Sequence, residues 1–310
     1  MNIASIDIGT NTVLLLIAKI DNNNLVPLLN VYRMPRLGKD LNSTGKIADE
    51  KIELLISILN EYKTICSEYD CSIILPFATQ AMRSATNNRE VIRRVFSETG
   101  LRIEIISGHT EAKLSFIGSI SNAPKNDNYL VIDIGGGSTE IIYGNDKDIL
   151  FAQSFKIGVV TLTDKFINNL DNYNNNSITM MKKFISESFI FPFNLCDNTN
   201  IISVAGTPTS LSCMIQKIKD YNDEYVENKF LTSTSIKDLI LELETLTPKE
   251  ILQKFGDVLL GREDLILTGA IILEQILDKL QQYRTLVSTR GLRYGIIYDY
   301  LANNERKITK

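Results

Sequence analysis

One tetrapeptide, Ile-Asp-Ile-Gly, occurs twice in this sequence, at 6–9 and at 132–135. Each copy lies between two apolar runs of strand length, a pattern that predicts strand, tight turn and strand. The second copy follows the first by 126 residues, which is far longer than the period of a solenoid repeat. The duplication therefore predicts that the chain of 310 residues forms two similar domains, each built around one copy.

Both copies lead into a loop that is suited to phosphate. Gly135, Gly136 and Gly137 permit positive φ angles and carry no Cβ, so several backbone N–H groups can converge on one anion. Asp133 and Glu140 add carboxylates beside this loop, and such oxygens suit Mg²⁺ that is shared between protein and phosphate. Two facing loops would hold a chain of phosphates. The alternative is a pair of ordinary hairpin turns, but two copies that both continue into hydroxyl residues favour phosphate loops.

Composition and charge narrow the class of protein. A hydrophobic content of 44% and a charged content of 23% are typical of a soluble globular protein. The net charge of −4 provides no broad field for nucleic acid or anionic membrane, so we expect neither as a partner. No apolar run is long enough to span a bilayer, and the first residues lack the basic start of a signal peptide, which predicts a cytoplasmic protein. Four cysteines without C-x-x-C spacing and a single histidine argue against a zinc site.

Helices and strands alternate along the rest of the first half, as in α/β proteins. Apolar spacing predicts a helix at 49–68 and a buried strand at 72–78. Arg83 then lies on a short helix at the carboxyl end of this strand, where ligands bind in open α/β sheets. Ser107 is a predicted N-cap, which puts Glu111 in the first turn of the next helix. From its neighbours alone, Glu111 is an ordinary helix-start glutamate.

Two further segments leave alternatives open. Arg33, Arg36 and Lys39 form a small basic loop, which either reaches a ligand or is a solvated run of charge. Gly206 and Thr207 lie between a predicted strand and a predicted helix, and they form a third and weaker candidate for a phosphate loop.

Six motifs, taken together and in order, resemble those of the exopolyphosphatase/guanosine pentaphosphatase (Ppx/GppA) phosphatase family. They are DIGTNT at 7–12, ATQAMR at 78–83, ISGHTEAKL at 106–114, DIGGGSTE at 133–140, AGTPTSL at 205–211 and GLRYG at 291–295. The resemblance implies a two-domain α/β fold of the actin-like, ribonuclease H-like kind found in sugar kinases and actin, with the active site in the cleft between the domains. We place domain I at 1–124, completed by a C-terminal helix at about 296–310, and domain II at 125–295.

The same resemblance implies roles for individual residues. Glu111 matches the catalytic base that orients the attacking water, and Asp133 and Glu140 match carboxylates that bind the metal and help to activate water. The metal is expected to be Mg²⁺ or another divalent cation, with Asp7 as a third ligand. The residues expected to bind phosphate or substrate are Asp7, Gly9, Thr10, Asn11, Thr12, Arg83, Gly135, Gly136, Gly137, Ser138, Thr139, Gly206 and Thr207.

Three positions depart from the family pattern. Thr110 stands where members often have a second glutamate, Thr207-Pro208 replaces a more glycine-rich turn, and Tyr294 stands where a glutamate is common. The length resembles that of the short members, which lack a C-terminal HD-type module. The single histidine, His109, agrees with that expectation, because the metal motif of such a module needs several.

The resemblance implies a phosphoanhydride hydrolase. The leading hypothesis is an exopolyphosphatase that releases orthophosphate from the ends of inorganic polyphosphate. A rival within the same fold is a phosphatase that converts guanosine pentaphosphate to the tetraphosphate, an activity tied to the stringent response. A third hypothesis is an alarmone-binding or actin-like assembly protein without catalysis. The residues do not separate polyphosphate from the nucleotide, and a homodimer is left open.

Overall fold

The computed structural model describes residues 1–21, 24–167, 169–170 and 174–308. They form two compact units, one of Met1–Gly118 with Gly291–Lys310 and one of Ser119–Arg290, here called unit 1 and unit 2. The divisions fall at 118/119 and 290/291, slightly earlier than the predicted 124/125 and 295/296. The second division is earlier because residues 291–295 pack within unit 1. A Cβ at Gly295 would lie 1.8 Å from the carbonyl oxygen of Leu114. Residues 309 and 310 of the predicted last helix lie outside the described residues.

The strands of unit 1 are β1 (Asn2–Ile8), β2 (Val13–Asp21), β3 (Asn24–Arg33), β4 (Cys71–Ala78) and β5 (Glu104–Ile105). Those of unit 2 are β6 (Asn128–Ile134), β7 (Thr139–Gly144), β8 (Ile149–Phe155), β9 (Thr199–Val204), β10 (Phe230–Thr232) and β11 (Arg284–Val287).

The helices begin with α1 (Leu41–Thr44), α2 (Asp49–Glu68), α3 (Gln80–Ser84), α4 (Asn88–Thr99) and α5 (Gly108–Ile120). They continue with α6 (Val159–Phe166), α7 (Asn175–Ser188), α8 (Gly206–Gln216), α9 (Asp223–Val226) and α10 (Ser233–Leu243). The last are α11 (Pro248–Phe255), α12 (Ile266–Lys279) and α13 (Leu292–Ile308), with a 3₁₀ turn at Asp257–Leu259.

The two sheets repeat one topology. In unit 1 the order is β3-β2-β1-β4-β5, with an antiparallel meander of three strands followed by two parallel strands. In unit 2 the strands β8-β7-β6-β9-β11 follow the same order and directions, and β10 adds an antiparallel edge. The duplicated tetrapeptide thus lies at the same point of both sheets, at the turn between the first and second strands.

Side chains of β1 alternate between two apolar layers, as expected for a strand with both faces covered. Ile6 and the alternate residues Ala4 and Ile8 pack on one face with α2. Ile3 packs on the other face with Tyr294 and Ile297 of α13. Ser5, on the α13 face, donates to the carbonyl oxygen of Arg293 at 2.7 Å. Helix α13 is therefore part of the core of unit 1, although it is separated in sequence from the rest of that unit.

Unit 2 has one large core between its sheet and helices α6, α7, α8, α10 and α12. Helix α12 is central to it, because its residues from Ile266 to Leu277 are almost all buried. Among the described residues, no helix is long and apolar enough to cross a membrane.

Candidate active site

The turns that carry the duplicated tetrapeptide have the same backbone geometry in both units. In unit 1 the N–H of Gly9 donates to the carbonyl oxygen of Thr12 at 2.9 Å, and in unit 2 Gly135 donates to Ser138 at 2.9 Å. A Cβ at Gly9 would lie 3.0 Å from the carbonyl oxygen of Thr12, and a Cβ at Gly135 would lie 3.0 Å from that of Ser138. Both distances are shorter than an ordinary van der Waals contact. The tetrapeptide is therefore repeated in conformation as well as in sequence, and a side chain at either glycine would require the facing carbonyl group to shift.

The carbonyl groups of the first loop are held by the segment that follows β3. Arg36 donates its N–H to the carbonyl oxygen of Asn11 at 3.1 Å, and Gly38 donates to that of Thr10 at 2.8 Å. A Cβ at Gly38 would lie 2.1 Å from the side chain of Thr10, so a larger residue here would force that side chain to move. Within the described residues, the N–H groups of Thr10, Asn11 and Thr12 donate to no protein group. Three successive amides are thus available to an anion.

The second loop is held in the same way by the start of α6. Val159 donates to the carbonyl oxygen of Gly135 at 3.0 Å, and Val160 donates to that of Gly136 at 2.8 Å. Gly158 approaches so closely that a Cβ there would lie 2.4 Å from the oxygen of Gly136. In the part of the chain that the structure describes, the amides of residues 136–138 also have no protein acceptor. Each unit therefore contains one loop whose carbonyls are fixed and whose amides remain open.

Glu111 lies in the first turn of α5, as predicted, and it is paired with Arg83. Nη1 of Arg83 is 2.6 Å from Oε2 of Glu111, and the two side chains are 18% and 11% exposed. The guanidinium also donates to the carbonyl oxygen of Ile106 at 2.9 Å and to Oε1 of Gln80 at 2.8 and 3.2 Å. Four of its five N–H groups are engaged. Arg83 therefore fixes the position of Glu111, a contact between distant residues that the motifs did not predict.

The basic segment after β3 is divided in its roles. Arg33 pairs with Glu61 at 2.5 Å on the exposed surface, and Lys39 is exposed. The backbone of Arg36 adopts a positive φ of 54° while its N–H binds Asn11. Of the two alternatives from the sequence, the exposed side chains of Arg33 and Lys39 agree with a solvated run of charge. The segment contacts the loop through the backbone of Arg36.

Asp133 and Glu140 face each other across two paired strands. They are partners in the antiparallel register of β6 and β7, so their side chains project from the same face of the sheet. Glu140 is 1% exposed, and one of its oxygens accepts a hydrogen bond of 2.5 Å from Ser154 on β8. Ser154 thus orients Glu140, and no sequence motif pointed to it.

These two carboxylates suit a shared magnesium ion. Among the described residues, no cluster of three or more histidine, cysteine, aspartate or glutamate side chains is arranged to hold a metal. Magnesium does not require such a cluster, since proteins commonly bind it through one or two carboxylates together with substrate phosphates and water. Asp133 and Glu140 fit that pattern. The predicted third ligand, Asp7, lies in β1 of unit 1.

The third loop candidate lies at the start of α8. Ala205 has φ 74° and ψ −167°, a backbone conformation that residues other than glycine rarely adopt. Gly206 is covered by Arg262, whose guanidinium carbon would lie 2.7 Å from a Cβ at this glycine. Nη1 of Arg262 donates to the hydroxyl of Ser210 at 3.2 Å. Arg262 was missed in the sequence, because it lies more than fifty residues from the loop that it covers.

Two of the three departures from the family pattern have structural roles here. The Oγ of Ser107 accepts a hydrogen bond of 3.1 Å from the N–H of Thr110 and lies 2.9 Å from its hydroxyl, which closes the start of α5. Tyr294 is 2% exposed and belongs to the core of unit 1. Thr110 thus supports the helix that carries Glu111, and Tyr294 serves packing.

Comparison with known proteins places this geometry among phosphatases. The sequence model of the Ppx/GppA phosphatase family matches residues 16–304. Exopolyphosphatase 2 of Mycobacterium tuberculosis is 27% identical over 300 residues, which cover 90% of this chain and 91% of that protein. A bifunctional 3-dehydroquinate synthase/phosphatase of Fusobacterium nucleatum is 37% identical over 314 residues, which cover 97% of this chain and 46% of that protein. This chain therefore spans less than half the length of the Fusobacterium relative.

Solved structures agree with the sequence comparison. An exopolyphosphatase from Cytophaga hutchinsonii is similar with a TM-score of 0.90 and 29% identity, covering 98% of both chains. The Ppx/GppA family member of Aquifex aeolicus gives a TM-score of 0.81, also at 29% identity and 98% coverage of both chains. The two-domain α/β fold implied by the resemblance is therefore confirmed, because this chain has the fold of these proteins.

Proposed function

The chain belongs to the Ppx/GppA phosphatase family, and its relatives include proteins named exopolyphosphatases; from that premise we propose that it is a Mg²⁺-dependent exopolyphosphatase. The substrate would be inorganic polyphosphate, and the product would be orthophosphate released from a chain end. The names of the mycobacterial and Cytophaga relatives support this substrate.

The observation that carries the proposal is the pair of loops with open amides. A phosphate group has no donor hydrogens when ionised, so it binds where several N–H groups converge and no carbonyl oxygen competes. In both loops the carbonyls are tied to the following segment while three amides remain available. Each loop can bind a phosphate group, so the presence of two such loops favours a substrate that contains several phosphates.

Glu111 is proposed to orient and deprotonate the water that attacks the terminal phosphorus. A general base must be held in position, and Arg83 holds this carboxylate at 2.6 Å. The one remaining N–H of the guanidinium is then available to a substrate oxygen. The charge that develops on phosphate in the transition state would be stabilised by the loop amides, which need no reorganisation during the reaction.

Asp133 and Glu140 are proposed to hold Mg²⁺ together with substrate oxygens. When bound, the ion would neutralise charge on the phosphates. The residues of this chain contribute the geometry, since the register of β6 and β7 and the hydroxyl of Ser154 fix the two carboxylates before any ion binds.

A second candidate substrate is the 5′-triphosphate end of guanosine pentaphosphate. The feature that favours it is the third loop, where the unusual conformation of Ala205 and the cover of Arg262 over Gly206 form a structure additional to the two phosphate loops. Hydrolysis of the terminal phosphate of this nucleotide would use the same base and carboxylates.

The experiment that tests these proposals measures phosphate release from long-chain polyphosphate, tripolyphosphate and guanosine pentaphosphate in parallel, with and without Mg²⁺. We expect release from polyphosphate that depends on Mg²⁺. A higher kcat/KM for the nucleotide would replace polyphosphate by the second candidate. Binding of one or more of these compounds with no phosphate release from any of the three would overturn the hydrolase assignment and favour a sensor.

A further inference from the structure

Helix α4 carries an exposed stripe of arginines that the proposed chemistry does not use. Arg89 and Arg93 are exposed and lie one helical turn apart on one face. Phe96, which is 45% exposed, continues along the same side of the helix. Arg102 follows the helix, and its guanidinium carbon lies 5.3 Å from the centroid of the Phe96 ring. We call Arg89, Arg93 and Arg102 the arginine stripe.

The charges of the arginine stripe are not neutralised by the protein. Within the residues that the structure describes, none of the three arginines forms an ion pair with a carboxylate. Arg94 differs, since it pairs with Asp49 at 3.4 Å and with Glu53, both of which belong to α2. Because like charges four residues apart destabilise a helix, Arg89 and Arg93 oppose the stability of α4.

The arginine stripe begins beside α3, the short helix that carries Arg83. Helix α4 follows the helix that carries Arg83, and the side chain of Asn88 donates to the carbonyl oxygen of Met82 at 3.0 Å. Arg89 is the next residue. A helix of 12 residues is about 18 Å long, so the stripe leads away from the neighbourhood of Arg83 along the surface of unit 1.

The guanidinium groups of the stripe are suited to bind a linear polyanion made of phosphates. Guanidinium groups form paired hydrogen bonds to phosphate oxygens, and stacking on an aromatic ring leaves their N–H groups free for such bonds. The chain as a whole carries a charge of −4, so a polyanion must be held locally rather than by a general field. The acidic residues of α4, Glu90 and Glu98, lie toward the flank of Arg94.

We propose that the arginine stripe binds the part of a polyphosphate chain that lies beyond the reacting end. This inference rests on the proposed function, because it takes polyphosphate as the substrate whose terminal phosphate reaches the loops. The stripe would give the enzyme a higher affinity for long chains than for short ones without affecting the chemical step.

The test uses the full chain with Arg89, Arg93 and Arg102 all changed to Gln. Removing three exposed positive charges at once should raise KM for long-chain polyphosphate about tenfold. The kcat for that substrate, and both constants for tripolyphosphate, should not change, because a short chain does not extend to the stripe. The matched control changes Lys125, Lys147 and Lys249 of unit 2 to Gln, which removes the same charge from exposed positions and should leave all constants unchanged.

A rise in KM that is equal for long and short chains, an unchanged KM, or the same change in the lysine control would overturn the inference. A direct binding measurement with fluorescent long-chain polyphosphate tests the role of the stripe independently of the proposed hydrolase activity. If the wild type binds this probe but releases no phosphate, the proposed function fails. The stripe is then supported only if the arginine variant binds about tenfold more weakly and with a smaller dependence on salt.

Discussion

Arg83 and Glu111 form the polar contact on which the proposed base depends. Both side chains are largely buried, and removal of one partner would leave the other charge uncompensated, which typically costs about 3–5 kcal/mol. Replacing Glu111 by Gln keeps the shape and one acceptor oxygen. This substitution therefore tests the chemistry of the carboxylate with the smallest change in structure.

Glu111→Gln is expected to lower kcat by on the order of a hundredfold or more while substrate binding stays nearly the same, because an amide cannot accept the proton of water. The measurement is phosphate release at saturating polyphosphate, with binding followed separately. Glu68→Gln, an exposed glutamate of α2, is the matched control and should behave as the wild type. Near-normal turnover in Glu111→Gln would make Glu111 an ordinary helix-start residue.

Asp133→Asn should raise the concentration of Mg²⁺ that gives half-maximal activity, since a neutral amide is a weaker ligand for a hard cation than a carboxylate. Calorimetric titration of Mg²⁺ into the protein with a non-hydrolysable phosphate analogue provides a second measurement. Asp127→Asn, at an exposed position before β6, is the control. An unchanged titration for Asp133→Asn would remove this residue from the metal site.

At the scale of elements, the packing of α5 against α13 sets the position of Glu111. A Cβ at Gly118 would lie 2.0 Å from the carbonyl oxygen of Gly291, and one at Gly295 would lie 1.8 Å from that of Leu114. Both contacts are with backbone, which cannot move aside without shifting a helix. The GLRYG motif thus acts on the active site through the helix that carries the proposed base.

Gly295→Ala is expected to destabilise the protein by about 1–3 kcal/mol or more, the usual range for overpacking, and to lower kcat because α5 is displaced. Chemical denaturation and turnover measure the two effects. Asn303→Ala, on an exposed position of the same helix, should change neither by a comparable amount. Wild-type stability in Gly295→Ala would show that the two helices separate easily.

The elements were largely predictable, because their signals are local. The spacing of apolar residues placed α2 at Asp49–Glu68, and the N-cap at Ser107 placed α5 with Glu111 in its first turn. Strand β5 is only two residues long, since it pairs only with the last residues of β4. Strand β10 was missed because three residues at a sheet edge carry too short a pattern.

The contacts between distant residues were not predictable in this way. Arg83 with Glu111, Ser154 with Glu140 and Arg262 with Gly206 each join residues that only the folded chain brings together. The motifs identified the residues of the loops from their types and order. They did not indicate which side chains hold those residues in place.

At the scale of the whole molecule, each unit contains a buried thiol that makes the stability of the fold depend on pH in the alkaline range. Burial raises the pKa of Cys66 in unit 1 to about 12 and that of Cys213 in unit 2 to about 11, from an ordinary value of 9.0. A raised pKa in the folded state means that the unfolded chain releases the proton first as pH rises. The stability contributed by each protonated thiol is therefore complete below about pH 9 and is lost as pH rises toward the folded values.

The free energy of unfolding should accordingly fall between about pH 9 and 11, and the fall should be less steep when Cys66 and Cys213 are both replaced by Ala. Denaturation at several pH values, under reducing conditions, measures both slopes. Ser67→Ala, at an exposed position of α2, removes a small polar group that does not titrate in this range; it is the control and should leave the slope unchanged. Equal slopes in all three proteins would assign the alkaline loss to other groups.

The order in which the units can be completed during synthesis follows from the place of α13. Unit 2 is one continuous segment, whereas the sheet of unit 1 is covered on one face by Tyr294 and Ile297, which are made much later than β1 and β2. At 5–20 residues per second, the ribosome needs about 15 to 55 seconds to pass from the end of β2 to Tyr294. During that time one apolar face of the first sheet lacks the helix that covers it in the folded protein. Unit 1, whose synthesis begins first, is thus the last of the two units to be completed.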